Sequence, residues 1–288
     1  MSAQFAHSPT QPPTLLVVAK APVSGLAKSR LGATIGHELA ARIAAAALLD
    51  TLQTAQELGW PVVVAMTGEL NEAERGEELA VELAKHTVVD QRGEDFATRL
   101  VAAHHDAARH GGVRSVDSRR DPRRDSGRDD GLTQDAAGGV VQIGMDTPQV
   151  TVEQLRAAGA ALADHDAALG PAEDGGWWVL AVREPHWSTC LKQVPMSTPD
   201  TGAHTHAALT AAGADVGQVA VVADVDTWAD AKAVAALIPE SRFAAEVTRV
   251  SSRDHFRDPT QEGLRNRPGD GAANSGDLHA VDHMRTGS

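Results

Sequence analysis

Residues 138–148 read Gly138-Gly139-Val140-Val141-Gln142-Ile143-Gly144-Met145-Asp146-Thr147-Pro148. The short run Val140 to Ile143 has the character of a buried strand, and Pro148 forbids further ladder pairing. Thr151 and Gln154 follow with the spacing of a helix capping box. Asp146 is therefore expected at the carboxyl end of a central strand, just before a helix. In open α/β sheets ligands bind along that edge. A carboxylate there can hold a divalent metal, and through it a diphosphate. It can equally do no more than close a turn.

Outward from this stretch, strands and helices alternate. Leu15 to Ala19, Pro61 to Met66, Thr87 to Val89, Ala167 to Pro171, Trp177 to Val182 and Val219 to Ala223 are expected strands. Helical spacing covers Gly36 to Leu58, Glu69 to Lys85, Asp95 to Arg109, Thr151 to Ala163, Thr201 to Ala212 and Thr227 to Leu237. Such alternation predicts an α/β domain with a mostly parallel central sheet flanked by helices.

Three segments stand outside that pattern. Residues 1–13 are polar and contain proline, and are expected to form a loose arm. Residues 114–136 mix arginine and aspartate with almost nothing apolar, so they cannot offset their ordering entropy and should be a disordered insertion. Residues 251–288 lack periodicity and should be a disordered tail. The working domain is expected over 14–250.

The 288 residues carry 39 acidic and 26 basic side chains, a net charge of −13. Nucleic acid and anionic membranes are poor partners for such a surface. No apolar run approaches the roughly 20 residues of a membrane span. Cys190 is the only cysteine, which suits a reducing cytoplasm. Any phosphate bound here requires a local group of cations or a metal.

Such a group stands directly after the first strand, in Lys20-Ala21-Pro22-Val23-Ser24-Gly25-Leu26-Ala27-Lys28-Ser29-Arg30. Lys20, Lys28 and Arg30 share one loop leading into a helix, a natural phosphate site. Ala27 replaces the glycine a P-loop requires before its lysine. A solvated turn is the plain alternative.

Two further stretches carry carboxylates. Glu173-Asp174-Gly175-Gly176 between apolar runs is first a hairpin signal. Its glycines would also let a ligand come close. Trp177 and Trp178 should lie on opposite faces of the following strand, so at most one can meet a ligand. In Ala223-Asp224-Val225-Asp226-Thr227, either Asp226 or Thr227 is placed to cap the last helix. Alternation would put Asp224 and Asp226 on one side, where either could join Asp146 on a magnesium or manganese ion.

These motifs resemble a bacterial family of glycosyltransferase-A-like proteins described as nucleotide-diphospho-sugar transferases, some of them linked to arsenosugar biosynthesis. The family's K-A-P-x-x-G-x-x-K-[ST]-R-L loop is matched by Lys20 to Leu31, including Pro22 and Gly25. Its Q-x-G-x-D-[LF] stretch is matched by Gln91, Gly93, Asp95 and Phe96, and its G-x-D-x-P by Gly144, Asp146 and Pro148. Gly170 to Gly176 match G-P-A-x-D-G-G. Met196-Ser197-Thr198-Pro199 stands where the family has W-S-T-P, and Asp224 to Thr227 match D-x-D-T. Trp177-Trp178 replaces a usual tyrosine pair, and Ala97-Thr98 a glycine and glutamate.

The resemblance implies a single Rossmann-like domain that is a metal-dependent transferase of sugar from a nucleotide-sugar to a small acceptor. It implies a divalent metal (Mg2+ or Mn2+) on Asp146, Asp226 and Asp224. Lys20, Pro22, Gly25, Lys28, Arg30 and Asp95 would serve the nucleotide and its phosphates. Glu173 and Asp174 would be catalytic, with Gly175, Gly176, Trp177, Ser197 and Thr198 meeting substrate. A second reading is a nucleotidyltransferase, because enzymes that guanylylate phospholactate-type substrates carry a similar A-K-[ST]-R-L loop. A third is a nucleotide-binding regulator without turnover.

Overall fold

The computed structural model describes residues 11–111 and 138–254. The expected insertion at 114–136 lies outside the described residues, as do most of the arm and tail.

Strand β1 spans Thr14–Lys20 and is followed by helices α1 (Ser29–Ile35) and α2 (His37–Leu58). Next come β2 (Val62–Thr67), α3 (Gly76–Leu83), β3 (Thr87–Asp90) and α4 (Phe96–His110). After residue 138 lie β4 (Val140–Gly144), α5 (Val152–Ala160) and the hairpin of β5 (Ala167–Pro171) and β6 (Trp177–Val182). A 3-10 helix (Pro185–Gln193), α6 (Thr201–Ala211), β7 (Val216–Gln218), α7 (Trp228–Leu237) and α8 (Arg242–Asp254) complete the described chain.

The strands form one sheet in the order β3-β2-β1-β4-β6-β5-β7. β1 pairs in parallel with β2 and β4, β2 with β3, and β5 with β7, while β6 runs antiparallel between β4 and β5. The mostly parallel sheet is the one expected. Alternation explains its two covered faces. Leu15, Val17 and Ala19 of β1 pack with α2, α3 and α5, whereas Leu16 and Val18 pack with α4, α6 and the 3-10 helix. A third apolar cluster, including Leu31, Ile43, Val225, Val234 and Phe243, joins α1, α2, α7 and α8.

Three departures from expectation have local causes. The stretch expected as one helix over Glu69 to Lys85 is broken into a 3-10 turn (Leu70–Glu72) and α3. Arg75 there takes a left-handed conformation, φ 55°. A Cβ on Gly76 would overlap the Leu70 carbonyl, so only glycine fits that fold-back. The strand expected at Val219 to Ala223 lies earlier, at β7, and only Val222 rejoins the sheet, as a bridge to Ala172. The Trp178 indole N–H donates to the Ala220 carbonyl at 2.8 Å. It crosses β5 at Gly170, where a Cβ would strike the ring. Finally, α8 fills a stretch for which no helix was expected, and Ser241 Oγ closes its first turn by accepting the Ala244 N–H at 3.0 Å.

Candidate functional site

The loops at the carboxyl ends of β1, β4, β5 and β7 bring the charged motifs to one edge of the sheet. After β1 the chain turns at Gly25 (φ 79°) and enters α1 through Lys28, which takes the left-handed conformation φ 49°, ψ 54°. Lys20 Nζ donates to the Leu26 carbonyl at 3.0 Å, bracing this loop across its own width. Lys28 instead reaches inward: its side chain is 14% exposed, and Nζ lies 2.9 Å from Asp146 Oδ2 and 3.4 Å from Asp226 Oδ1. Arg30 remains largely in solvent and holds Asp226 Oδ2 at 3.0 Å.

The segment after β7 is tied to the loop after β4 by backbone. Val225 N–H donates to the Asp146 carbonyl at 3.2 Å, and the Gln149 amide reaches the Ala223 carbonyl. Thr227 caps α7, in a capping box with Asp230. This resolves the cap in favour of Thr227, and leaves the Asp226 carboxylate for Lys28 and Arg30. Thr151 and Gln154 form the expected capping box at α5.

Asp174 occupies the β5–β6 turn, where its Oδ1 accepts the Gly176 N–H at 2.7 Å. Carboxylate oxygens of Asp174, Asp224 and Asp226 all lie within 4.8 Å of one another. Asp146 stands beside this trio, bound to Lys28. Asp174, expected among the catalytic residues, thus shares this group with Asp224 and Asp226. Glu173 is exposed and stands outside the group.

Electrostatics follow from this crowding. Burial, and then the charges of Asp174, Asp226 and Asp146, push the Asp224 carboxyl up to about 6, against the opposing pull of Lys28. Burial by itself would lower the Lys28 ammonium, but Asp146, by charge and hydrogen bond, then Asp226 and Asp224 hold it above the usual lysine value. One ammonium therefore balances only part of the negative charge. A hard, all-oxygen donor set of this kind fits magnesium or manganese.

Other motif residues frame the edge. Gln91 Nε2 donates to the carbonyls of Ala19 (2.8 Å) and Ala65 (3.0 Å), stapling the ends of β1 and β2. Asp95 caps α4 by accepting the Thr98 N–H at 2.7 Å. The stretch around Ser197 and Thr198 backs the hairpin: Gly202 N–H donates to the Gly175 carbonyl at 2.8 Å, and a Cβ on Gly175 would overlap the Pro199 carbonyl. Ser197 is exposed at φ 60°, and Thr198 N–H is spent on Thr201 Oγ1 at 3.0 Å. Pro22 is buried beneath the cationic loop. Trp178 is core, and Trp177 lies on the other face, half-buried, with its indole N–H on Thr205 Oγ1 at 3.2 Å.

A family model described as "Uncharacterized protein conserved in bacteria (DUF2064)" matches residues 48–198, a little over half of the chain. The chain belongs to this family. The part shared with DUF2064 includes Asp146 and Asp174, while Lys28, Asp224 and Asp226 lie outside the matched residues. No curated protein sequence matches this DUF2064 member. Among solved structures, it is similar to a protein from Desulfovibrio desulfuricans G20 whose assignment as a nucleotide-diphospho-sugar transferase is provisional. The TM-score is 0.67 at 22% identity, over 84% of this chain and 96% of that one. This likeness establishes a shared fold. It is also similar to a CMP:2-keto-3-deoxy-manno-octonic acid synthetase complexed with CTP (TM-score 0.45, 15% identity, 79% of this chain and 99% of that one). A third is Rv0371C of Mycobacterium tuberculosis H37Rv in complex with manganese (TM-score 0.42, 21% identity, 77% of this chain and 97% of that one). Among the described residues of the DUF2064 chain, no helix is long and apolar enough to cross a membrane.

Proposed function

We propose that this protein is a metal-dependent glycosyltransferase that takes a nucleotide-diphospho-sugar and passes the sugar to the hydroxyl of a small acceptor. One observation carries the reading: carboxylates of Asp174, Asp224 and Asp226 within 4.8 Å of one another, beside the cationic loop that holds Lys28 and Arg30. Asp174, Asp224 and Asp226 would hold the divalent cation, with Asp146 steadying Lys28 beside them. When bound, that cation supplies Lewis-acid neutralisation of the leaving diphosphate. Lys28 and Arg30 bind phosphate oxygens, and Lys20 keeps their loop in shape. The bond between the sugar's anomeric carbon and the phosphate oxygen breaks, and the acceptor oxygen takes its place on that carbon. Glu173 is the exposed carboxylate left over to receive the acceptor's proton.

A nucleotidyltransferase is the second reading, favoured by Ala27-Lys28-Ser29-Arg30-Leu31, which opens α1. It requires a grip on three phosphates, for which a glycine-rich loop is suited. This loop instead offers Gly25 alone, with Pro22 stiffening its start.

Nucleotide-sugars and nucleoside triphosphates screened with and without Mn2+ test both. The expected result is thermal stabilisation by a nucleotide-sugar only with Mn2+, followed by its slow hydrolysis to nucleoside diphosphate and free sugar. Pyrophosphate release from a triphosphate, stimulated by a phosphorylated small acid, would reverse the ranking.

A further inference from the structure

Lys28 is committed to the carboxylates by backbone as well as by charge. Its left-handed conformation, φ 49° and ψ 54°, is one that residues with a Cβ rarely adopt. The side chain is largely buried, and Nζ bridges Asp146 and Asp226. Asp226 is also one of the three residues whose oxygens converge within 4.8 Å. The ammonium and a divalent cation held by that trio would therefore share one carboxylate. They would sit close enough to repel.

Resting on the metal-and-diphosphate reading above, we propose that Lys28 is a tethered competitor for the metal. Without a donor, its ammonium partly neutralises the carboxylates and weakens their hold on a divalent cation. Diphosphate oxygens draw Nζ away from Asp226, so that donor and cation bind cooperatively, each raising the other's affinity by the same factor. A lysine serving only as a structural ion pair would behave in the opposite way. Its removal would loosen the carboxylates and weaken metal binding.

The test is titration of Mn2+ alone into full-length protein, followed by the electron paramagnetic resonance signal of free Mn2+. Wild type is compared with Lys28→Met and Lys28→Gln. Both variants are expected to bind Mn2+ about tenfold or more tightly than wild type, and Mn2+ should raise their melting temperatures more. Equal or weaker Mn2+ affinity in the variants overturns the proposal while leaving the metal reading intact. Absence of Mn2+ binding in all three proteins overturns both. Tighter binding in the variants upholds the proposal even if no nucleotide-sugar binds, an outcome that would sink the donor reading alone.

Discussion

The carboxylate of Asp50, in the middle of α2, accepts the backbone N–H of Phe243 at 2.8 Å, 193 residues further along the chain. Its other oxygen meets the Arg242 N–H and guanidinium, each at 3.3 Å. Asp50 thus caps α8 from a different helix, and Phe243 is wholly buried beside it. Asp50→Ala should cost about 2 kcal/mol, because it removes a cap and strands a buried N–H. Asp50→Asn keeps an acceptor and should cost less than half as much. Urea unfolding measures both; a loss below about 0.5 kcal/mol for the alanine variant would mean that the start of α8 finds other partners.

Crowded carboxylates predict a variant that gains stability as it loses function. Asp224→Asn removes one charge from a group that repels itself, at nearly constant volume. At pH 7 without metal it should melt a few degrees above wild type, on the order of 1 kcal/mol. Stabilisation by Mn2+ should shrink in the same variant. An unchanged or lower melting temperature would show that Lys28 and Arg30 already balance the group.

Adjacent residues Asp226 and Thr227 should separate cleanly. Thr227 Oγ1 accepts the Asp230 N–H, and Asp230 Oδ2 accepts the Thr227 N–H at 2.7 Å. Thr227→Ala should therefore cost about 1 kcal/mol and leave Mn2+ binding as it was. Asp226→Asn should leave α7 in place and abolish Mn2+ binding in a calorimetric titration. Loss of binding in Thr227→Ala would tie the metal to the helix start rather than to Asp226.

His104 supplies a pH dependence far from the sheet edge. It is completely buried on α4, and the Gln142 side chain of β4 is the polar group that faces its ring. Burial pushes its pKa from 6.5 down to about 4. Between those values the unfolded imidazole binds a proton that the folded one refuses, so stability falls as pH drops through the window and levels off below it. The loss is on the order of 3 kcal/mol. His104→Gln cannot titrate there. The difference between wild-type and variant unfolding free energies, measured from pH 7 to pH 4, should carry that slope. Parallel pH profiles would show that water reaches the ring.

Much of the fold was legible because burial on both faces of a sheet leaves apolar runs that cannot be mistaken for solvated loops. Leu15 to Ala19 and Val140 to Ile143 are of that kind. Helix α8 was legible but passed over: Phe243, Val247 and Val250 recur at helical spacing and Ser241 caps its first turn, whereas its anchor Asp50, on α2, has no local signal. The 3-10 helix at Pro185–Gln193 and the short α1 lack the length that makes a helical period visible. At the sheet edge, sequence spacing singled out the charged residues but not their partners. Lys28 could be read as a phosphate ligand, yet its bond to Asp146 joins loops 118 residues apart. Likewise, the meeting of Asp174 with Asp224 and Asp226 depends on strand order β6-β5-β7, which spacing does not encode.

Gly111 and Gly138, the described residues that flank 112–137, both lie against the opening of β1. A Cβ on Gly111 would strike Thr14, and one on Gly138 would strike the carbonyls of Gln11 and Pro12. Both glycines therefore stand at the amino-terminal rim of the sheet, while Lys28 and its carboxylates stand at the carboxyl-terminal rim. Such neighbouring ends make a natural cloning port. A reporter domain spliced in there, or new termini created by circular permutation, would hang from the side of the protein that faces away from Asp146.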